Sequence, residues 1–349
     1  MTRIAVDAMG GDFAPAEIVK GAIWAANDYN VPIELVGQVD KIQEVLDKIA
    51  KTGIRCNRGG YFVKKIKVDL SKLDIKLTQA DEIIEMGEAV GTAIRKKKNS
   101  SIVLAVDSVA KGSSDAVVAA GSTGAAMAAS LFGLGRLKGI ERPAIAVTLP
   151  TKKDPVILID AGANSACSPE MLFQFATMGS TFSKLVYNRP NPRIGVMNIG
   201  EEEEKGNQLV KDTHKLLKEN TIGLNFIGNI EGKELFQGDV DVVVCDGFVG
   251  NVALKTIEGC SMMLFKLIQE EFRKDIISKI VGLLAKPFMK RIYNRINYEE
   301  FGGALLLGVK GITVISHGRS SSYAIRNAVR VAKEAVEAGV NKKIAELLN

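Results

Sequence analysis

The fold is indicated by a short apolar run that ends in a glycine-containing turn. Residues 156–164 read Val-Ile-Leu-Ile-Asp-Ala-Gly-Ala-Asn, and a longer amphipathic stretch begins at Pro169. A strand that is apolar at every position is typical of a sheet covered by helices on both faces. These residues therefore predict one strand–turn–helix unit of a wound α/β sheet.

The same alternation of short β-branched runs and longer amphipathic stretches continues in both directions from this unit. It predicts strands at residues 4–7, 33–36, 115–119, 144–149, 156–160, 193–198, 224–227, 240–245 and 313–316. It predicts helices at residues 15–27, 169–187, 206–218 and 321–347. Residues 52–79 fit neither pattern, and we expect an irregular excursion there. Without a dividing linker, residues 1–349 are predicted to form a single large α/β unit with a mostly parallel sheet.

The composition is that of a globular chain with a sizeable core, since 46% of the 349 residues are hydrophobic and 25% are charged. The four cysteines form no C-x-x-C pair and are expected to be buried thiols in a reducing cytoplasm: Cys56, Cys167, Cys245 and Cys260. The two histidines, His214 and His317, form no H-E-x-x-H motif, so no metal site is expected.

The excess positive charge is concentrated in one segment. Residues 273–297 contain seven basic residues and one acidic residue, which gives the same excess, +6, as the whole chain with its 46 basic and 40 acidic residues. The remainder is therefore neutral overall, which argues against a broad face for binding nucleic acid.

Six predicted strands or strand ends are followed by a polar turn that contains glycine. These turns lie at residues 7–12, 120–124, 160–164, 198–207, 246–251 and 316–320. Glycine permits close approach to a ligand, and a helix N-terminus offers free N–H donors to an anion. One such turn is more often only structural, but six predict a phosphate-handling crevice where the strands end. Walker and dinucleotide-binding motifs are absent from the sequence, so no nucleotide cofactor is expected.

Several longer motifs occur in a fixed order along almost the whole chain. They are VDAMGGD (6–12), IRKKKNSS (94–101), GSTGA (121–125), KGIERPA (138–144), DAGAN (160–164), NIGEEEEKGN (198–207), DGFVGN (246–251), FGGALLLGVKG (301–311) and SHGRS (316–320). In these motifs the chain resembles the bacterial phosphate acyltransferases of phospholipid synthesis. The sequence departs from that family at Phe13, where a histidine is common, and at Val90, where proline is usual.

The resemblance implies transfer of a long-chain fatty acyl group from acyl carrier protein to inorganic phosphate, without a cofactor. It further implies a fold similar to those of isopropylmalate dehydrogenase and phosphotransacetylase, a homodimer, and a cytoplasmic protein peripherally associated with the inner face of the membrane. The product would serve a downstream membrane glycerol-phosphate acyltransferase.

Two residues are predicted to be catalytic. Phosphate is already a nucleophile and a thiolate is a good leaving group, so the reaction mainly requires positioning and oxyanion stabilisation. Lys205 is suited to hold phosphate, a role that the resemblance implies, whereas the residues alone favour a solvated lysine that offsets Glu201–Glu204. Asn251 is suited to donate to the thioester oxygen, although it can equally cap the following helix.

The turns also supply predicted substrate-binding residues: Gly10, Gly11, Gly121, Ser122, Thr123, Gly124, Asn164 and Gly250. The carboxylates of Asp7, Asp160 and Asp246 are expected to tie the loops together, since unpaired they would repel phosphate. His317 is expected to be structural, and His214 to lie on a helix surface.

The basic segment has apolar residues at helical spacing, and Pro287 is expected to kink it. We predict a helical protrusion at residues 258–297 that contacts an anionic membrane through Ile280, Leu284, Phe288, Lys290 and Arg291. Packing of the same face against a dimer partner is the alternative.

Three other functions remain open at this point. They are a short-chain acyl-CoA phosphotransacylase, a decarboxylating dehydrogenase of the isopropylmalate type, and a non-catalytic membrane-associated scaffold. The dehydrogenase would need clustered acids for Mg²⁺ and a nucleotide site, neither of which is evident.

Overall fold

An eleven-stranded mixed sheet organises the protein, whose structure is a computed structural model that describes residues 2–58, 62–85, 87–219 and 223–348. The described strands are β1 (Ile4–Asp7), β2 (Ile33–Gly37), β3 (Ile54–Arg58), β4 (Phe62–Ile66), β5 (Ile75–Gln79), β6 (Ala116–Ala119), β7 (Ala144–Leu149), β8 (Val156–Ile159), β9 (Arg193–Asn198), β10 (Asn225–Glu231), β11 (Val242–Val244), β12 (Ala304–Leu307) and β13 (Ile312–Ile315). The strands β3 and β4 form a separate antiparallel pair.

Helices cover this sheet. They are α1 (Ala16–Tyr29), α2 (Val39–Thr52), α3 (Val90–Lys96), α4 (Ser101–Ala110), α5 (Thr123–Gly133), α6 (Pro169–Val186), α7 (Gln208–Glu219), α8 (Gly247–Glu271), α9 (Ile276–Ile296), α10 (Ser322–Glu337) and α11 (Val340–Leu348). The strands β8 and β11 are buried along their whole length, as their continuous apolar runs predict. The predicted wound α/β class is therefore confirmed.

The sheet contains two groups of strands that point in opposite directions. The order across it is β10-β9-β11-β8-β7-β12-β13-β6-β1-β2-β5. The strand β7 runs antiparallel to both neighbours, β8 and β12, and β12 also runs antiparallel to β13. Because the other pairs are parallel, the turns after β8, β9 and β11 leave the opposite end of the sheet from those after β1, β6 and β13.

Close helix packing depends on a glycine in α1. A Cβ atom at Gly21 would lie 2.5 Å from the Cβ of Ile325 in α10, so only glycine allows this approach of the two helices. Phe175 and Phe182 of α6 fill the core on one side of the sheet and are almost fully buried. The contact between Gly21 and Ile325 thus fixes the position of α10 against α1.

Three sequence predictions need correction. The described residues of the stretch 52–79 are not irregular, since they include the antiparallel strands β3 and β4 and the edge strand β5; residues 59–61 lie outside the described part of the chain. The alternating Ile-Lys-Leu-Thr-Gln of β5 reflects an edge strand. The short strand β12 was not predicted. The predicted helix 321–347 is interrupted near Gly339, which adopts a positive φ of 65°.

The helices α8 and α9 form a helical hairpin with unusually exposed apolar residues. No described side chain of α9 is buried, and Leu284, Phe288 and Ile280 are 70%, 59% and 57% exposed. The helix α9 continues through Pro287. Within the part of the chain that the structure describes, no helix combines the length and the apolar character needed to cross a membrane.

A candidate active-site groove

A groove of about 520 Å³ lies over the centre of the sheet, between the N-terminal turns of α5 and α8. Its floor is β7, and its walls carry Thr123 and Gly124 of α5, Asn251 of α8 and the turn after β13. The two groups of strands meet here through β12. This strand pairs with β13 on one side, at Ala304 and Ile315, and with β7 on the other, at Leu305 and Ala146. Turns from both groups therefore border one groove, although the groups point in opposite directions.

A second, larger cavity of about 1030 Å³ adjoins this groove. The two cavities share Leu149, Leu254, Glu258 and Glu299 among their lining residues. Apolar side chains of α8 line much of the larger cavity, including Ile257, Met262 and Phe265. The groove thus has polar walls from several turns and a mainly helical apolar extension.

Asp160 organises the turn after β8. It is fully buried, and its carboxylate accepts hydrogen bonds from the backbone N–H groups of Ile145, Gly162, Ala163 and Asn164. Burial raises the pKa of Asp160 despite these donors. The side-chain amide of Asn164 donates to Asp160 and to the carbonyl of Pro143 at 2.9 and 2.8 Å. The amide donors of Asn164 are therefore used in hydrogen bonds around its own turn, and the residue does not line the groove.

The start of α8 packs tightly against this turn. The N–H of Gly247 donates to the carbonyl of Asn164 at 2.7 Å, and a Cβ atom at Gly250 would lie 1.9 Å from the carbonyl oxygen of Asp160. Any side chain at Gly250 would force the helix away from the strand. Gly250 thus has a packing role that is independent of its predicted role in substrate binding.

Asn251 lies on the groove side of α8, inside the helix. The N-cap of α8 is Asp246, whose carboxylate accepts from the N–H groups of Phe248 and Val249. The alternative that Asn251 caps this helix is therefore wrong. The side chain of Asn251 is exposed, and none of the described residues forms a hydrogen bond with its amide. Its N–H₂ group is free to donate into the groove.

The turns after β1 and β6 contact each other closely. A Cβ atom at Gly10 would lie 2.9 Å from the backbone nitrogen of Gly121, and Gly11 has a positive φ of 101°. Asp7 accepts from the N–H groups of Met9 and Gly10, and burial raises its pKa. With Asp160 and Asp246, Asp7 thus confirms the prediction that these carboxylates tie loops together.

The N-terminus of α5 continues from these two turns to the groove. Ser122 caps the helix by accepting from the N–H of Ala125 at 3.4 Å. Thr123 and Gly124 follow it and line the groove, whereas Gly10, Gly11, Gly121 and Ser122 do not. Of the predicted substrate-binding set, Thr123 and Gly124 therefore have the most direct access to a ligand.

Lys205 lies apart from Asn251. It is exposed on the turn after β9 and lines neither cavity. Its carbonyl accepts from the side-chain amide of Asn198 at 3.1 Å, which fixes the backbone of the turn. Among the described residues, none of Glu201–Glu204 forms an ion pair with Lys205, and Glu203 pairs with Lys218 instead.

The two histidines occupy different environments. His214 is only 6% exposed, and its Nδ1 lies 3.1 Å from the Oδ1 of Asn229, so the prediction of a surface residue is wrong. The reason is that α7 turns this side towards β10, where Phe226 packs against the imidazole. His317 is exposed and lines the groove.

The cysteines near the groove are not activated nucleophiles. Burial raises the pKa of Cys167 to about 11, and the nearby carboxylates of Asp160 and Asp246 contribute to this rise. Burial also raises the pKa of Cys245 well above its usual value. Cys260 is exposed on α8, against the expectation of a buried thiol, and the side chain of Cys56 lies outside the described ones.

One group of acids in the described residues has the spacing of a possible cation site. Carboxylate oxygens of Glu201, Glu231 and Glu234 lie within 4.8 Å of one another. None of the three lines the groove. These acids therefore offer no metal ligand to a substrate bound in the groove.

Solved structures with the same architecture define the class of fold. A phosphotransacetylase from Streptococcus pyogenes superimposes with a TM-score of 0.61 at 15% identity, over 97% of this chain and 94% of that one. A 4-hydroxythreonine-4-phosphate dehydrogenase from Klebsiella pneumoniae gives a TM-score of 0.51 at 15% identity, over 96% and 99%. The chain thus has the α/β fold shared by phosphotransacetylases and this group of dehydrogenases.

Sequence comparison then identifies the family. A family model described as "Fatty acid synthesis protein" matches residues 2–343. The phosphate acyltransferase of Pelotomaculum thermopropionicum is 49% identical over 96% of this chain and 92% of its own length, and that of Dictyoglomus turgidum is 47% identical over 99% and 98%. The chain belongs to the phosphate acyltransferase family. It is therefore an enzyme that transfers acyl groups to phosphate, and neither a dehydrogenase nor a non-catalytic scaffold.

Proposed function

We propose that the acyl donor is a long-chain acyl thioester of acyl carrier protein and that phosphate attacks it directly in the groove. The observation that carries this proposal is the cavity of about 1030 Å³ that adjoins the groove. A pocket of this size is at the upper end of the range for small-molecule sites. A short acetyl group would leave nearly all of it empty, whereas a long acyl chain would bury its methylenes against α8.

The apolar wall also supplies a driving force for binding. Each methylene transferred from water to an apolar site contributes about 0.8 kcal/mol. Leu149, Phe236, Leu254 and Phe265 offer apolar surface along the cavity. Affinity is therefore expected to rise with chain length until the cavity is filled.

In the proposed reaction, an oxygen of phosphate attacks the thioester carbonyl and the carrier thiolate leaves. The amide N–H₂ of Asn251 donates to the carbonyl oxygen as negative charge develops on it. Thr123 and the N-terminus of α5, which also line the groove, add further donors. No acyl-enzyme is required, which agrees with the raised pKa values of Cys167 and Cys245.

Lys205 is proposed as a point charge that attracts phosphate. The support is its lack of an ion pair with the neighbouring glutamates and its position on a turn held by Asn198 and Gly206. Because Lys205 does not line the groove, this role requires the long lysine side chain or its turn to approach the groove when substrates bind. Kinetics of the Lys205→Ala variant would test that requirement.

We further propose that the α8–α9 hairpin, including residues 258–297, places the enzyme on the inner face of the membrane. The support is the exposed apolar row of α9 next to the basic side chains of Lys290 and Arg291. The acyl phosphate would then be released beside a membrane glycerol-phosphate acyltransferase. A homodimer is part of this proposal, and the alternative role of the hairpin is packing between its protomers.

The decisive experiment measures thiol release from acyl carrier protein carrying acyl chains of increasing length, with and without inorganic phosphate. Phosphate-dependent release that increases with chain length supports the proposal. Acetyl-CoA turned over more efficiently than any long-chain acyl carrier protein would instead support a short-chain phosphotransacylase.

A further inference from the structure

A buried hydroxyl without a partner borders the groove. Ser316, directly after β13, is 4% exposed, and its Oγ has no hydrogen-bond partner among the described residues. A buried polar group that is left unpaired costs free energy, so an unpaired hydroxyl at the lining of a groove can gain a partner from a bound ligand. Ser316 lines the groove together with Gly303, and a Cβ atom at Gly303 would lie 2.9 Å from this Oγ. Glycine at position 303 therefore leaves room beside this hydroxyl that any side chain would fill.

The next residue supplies a second donor. The Nδ1 of His317 accepts a hydrogen bond from the N–H of Arg319 at 3.1 Å. In the neutral imidazole the proton must then reside on Nε2, so this nitrogen is a donor. His317 is exposed and lines the same groove. Two side-chain donors from adjacent residues thus border one part of the wall.

The backbone around these donors also favours an anion. The 11-residue helix α5 begins at Thr123 on the groove, and the 16-residue helix α10 begins two residues after Ser320, which lines the groove as well. Both N-termini carry partial positive charge. The nearby carboxylate of Glu299 accepts from the hydroxyl of Ser321, and that of Glu258 pairs with Lys255 at 2.8 Å. Both acids on the groove therefore have a donor of their own within the chain.

We propose that the hydroxyl of Ser316 and the Nε2–H of His317 hold inorganic phosphate, the acceptor substrate, in the groove that Asn251 also lines. Phosphate offers several acceptor oxygens and negative charge, which match two donors and two helix N-termini. A thioester carbonyl offers one neutral oxygen and would leave part of this set unpaired. The inference rests on the proposal that the groove is where phosphate attacks.

Ser316→Ala tests the assignment, with Ser183→Ala as the matched control. Ser183 in α6 is also a buried serine whose Oγ is unpartnered among the described residues, but it does not line the groove. We expect Ser316→Ala to raise the KM for phosphate at least about tenfold, which is the effect of losing one hydrogen bond to a charged group. The KM for the acyl thioester of acyl carrier protein should be unchanged. Thermal stabilisation by inorganic phosphate alone should weaken in parallel. His317→Ala should raise the same KM, and Ser183→Ala should change neither quantity.

The possible outcomes separate this inference from the proposed function. If Ser316→Ala behaves like Ser183→Ala in both measurements, or if it raises only the KM for the acyl donor, Ser316 does not hold phosphate. If phosphate stabilises the wild-type protein through Ser316 but no acyl phosphate forms from acyl carrier protein, the inference stands and the proposed donor is wrong.

Discussion

The side chain of Asn251 lies directly against the backbone of Gly162, so that a Cβ atom at residue 162 would be 3.5 Å from the Cγ of the asparagine. Gly162 has a φ of 136°, which an L side chain rarely adopts. The turn after β8 and the second turn of α8 are therefore fitted to each other. This contact holds the amide of Asn251 at the edge of the groove without occupying its donors.

Asn251→Ala and Asn251→Asp are each expected to lower kcat at least about tenfold, or about 1.4 kcal/mol of transition-state stabilisation. Both changes remove the N–H₂ donor, and the second keeps the shape of the side chain. Steady-state kinetics with thermal unfolding would measure the effect. Val252→Ala, at an exposed position on the same helix, is the control. Turnover close to wild type in the aspartate variant would exclude the proposed donor role.

Lys205→Ala is expected to lower kcat/KM for phosphate at least about tenfold, because a positive charge that attracts the dianion is lost. Lys211→Ala is the control, since Lys211 is an exposed lysine on the neighbouring helix α7. The comparison requires kinetics at constant ionic strength, because screening weakens exposed charges. If the two variants have equal kinetics, Lys205 is a solvated surface lysine and does not attract phosphate.

The reaction is expected to proceed without an acylated residue. Raised pKa values keep Cys167 and Cys245 protonated near neutral pH, and a thiol is a poor nucleophile compared with its thiolate. Incubation with the long-chain acyl thioester of acyl carrier protein in the absence of phosphate, followed by mass spectrometry of the intact protein, should show no added acyl group. A stable adduct that forms as fast as turnover, on a cysteine or a serine, would contradict direct attack.

The buried carboxylate of Glu34 is expected to make stability depend on pH. Burial alone would raise the pKa of Glu34, but hydrogen bonds from Lys76, Ser108, Thr78 and Ser114 lower it to about 2, against an ordinary value of 4.5. A lowered folded-state pKa contributes stability that is complete above the unfolded value and is lost as the pH falls from 4.5 towards 2. The contribution is on the order of 3 kcal/mol.

Glu34→Gln isolates this contribution. The difference in free energy of unfolding between wild type and the variant should be largest near neutral pH and should shrink as the pH falls through that window. Glu88→Gln is a suitable control, since Glu88 carries a partly exposed ion pair with Lys97 whose contribution is small. If the difference between wild type and Glu34→Gln is the same at neutral and acidic pH, Glu34 is not the titrating group.

The sequence predicted those parts of the fold that have a local signal. The strands β1, β7 and β9 begin and end where predicted, because each is a compact run between polar turns. The opposite direction of β8 and its neighbours has no such signal. It depends on Leu305 of β12 pairing with Ala146 of β7, and these residues are far apart in the chain. The shared groove could therefore not be predicted from strand order alone.

The candidate site shows the same division between local and tertiary signals. The glycine-rich turns were evident, and Asp7, Asp160 and Asp246 bind their own loops as predicted. Ser316 stands out only because its hydroxyl is buried, has no hydrogen-bond partner among the described residues and lies beside Gly303. The separation of Lys205 from the groove is likewise a property of the turn after β9, and the acidic residues around it gave no indication of it.

The last prediction concerns the α8–α9 hairpin and its proposed membrane contact. Replacing both Leu284 and Phe288 with glutamate should release the enzyme from anionic vesicles and leave activity on soluble acyl carrier protein largely intact. Both side chains are exposed, and the guanidinium of Arg291 lies 4.9 Å from the ring centre of Phe288, so apolar and basic groups form one surface. Each basic residue near an anionic surface contributes about 1 kcal/mol before screening, so binding should weaken as salt is added.

The matched control is the double variant Phe132→Glu with Leu347→Glu, which changes two exposed apolar residues elsewhere by the same charge. Vesicle sedimentation, with light scattering to determine the oligomeric state, distinguishes the possible outcomes. If the hairpin variant still binds vesicles, another surface of the protein makes the membrane contact. If it dissociates into monomers, the hairpin belongs to the interface between protomers.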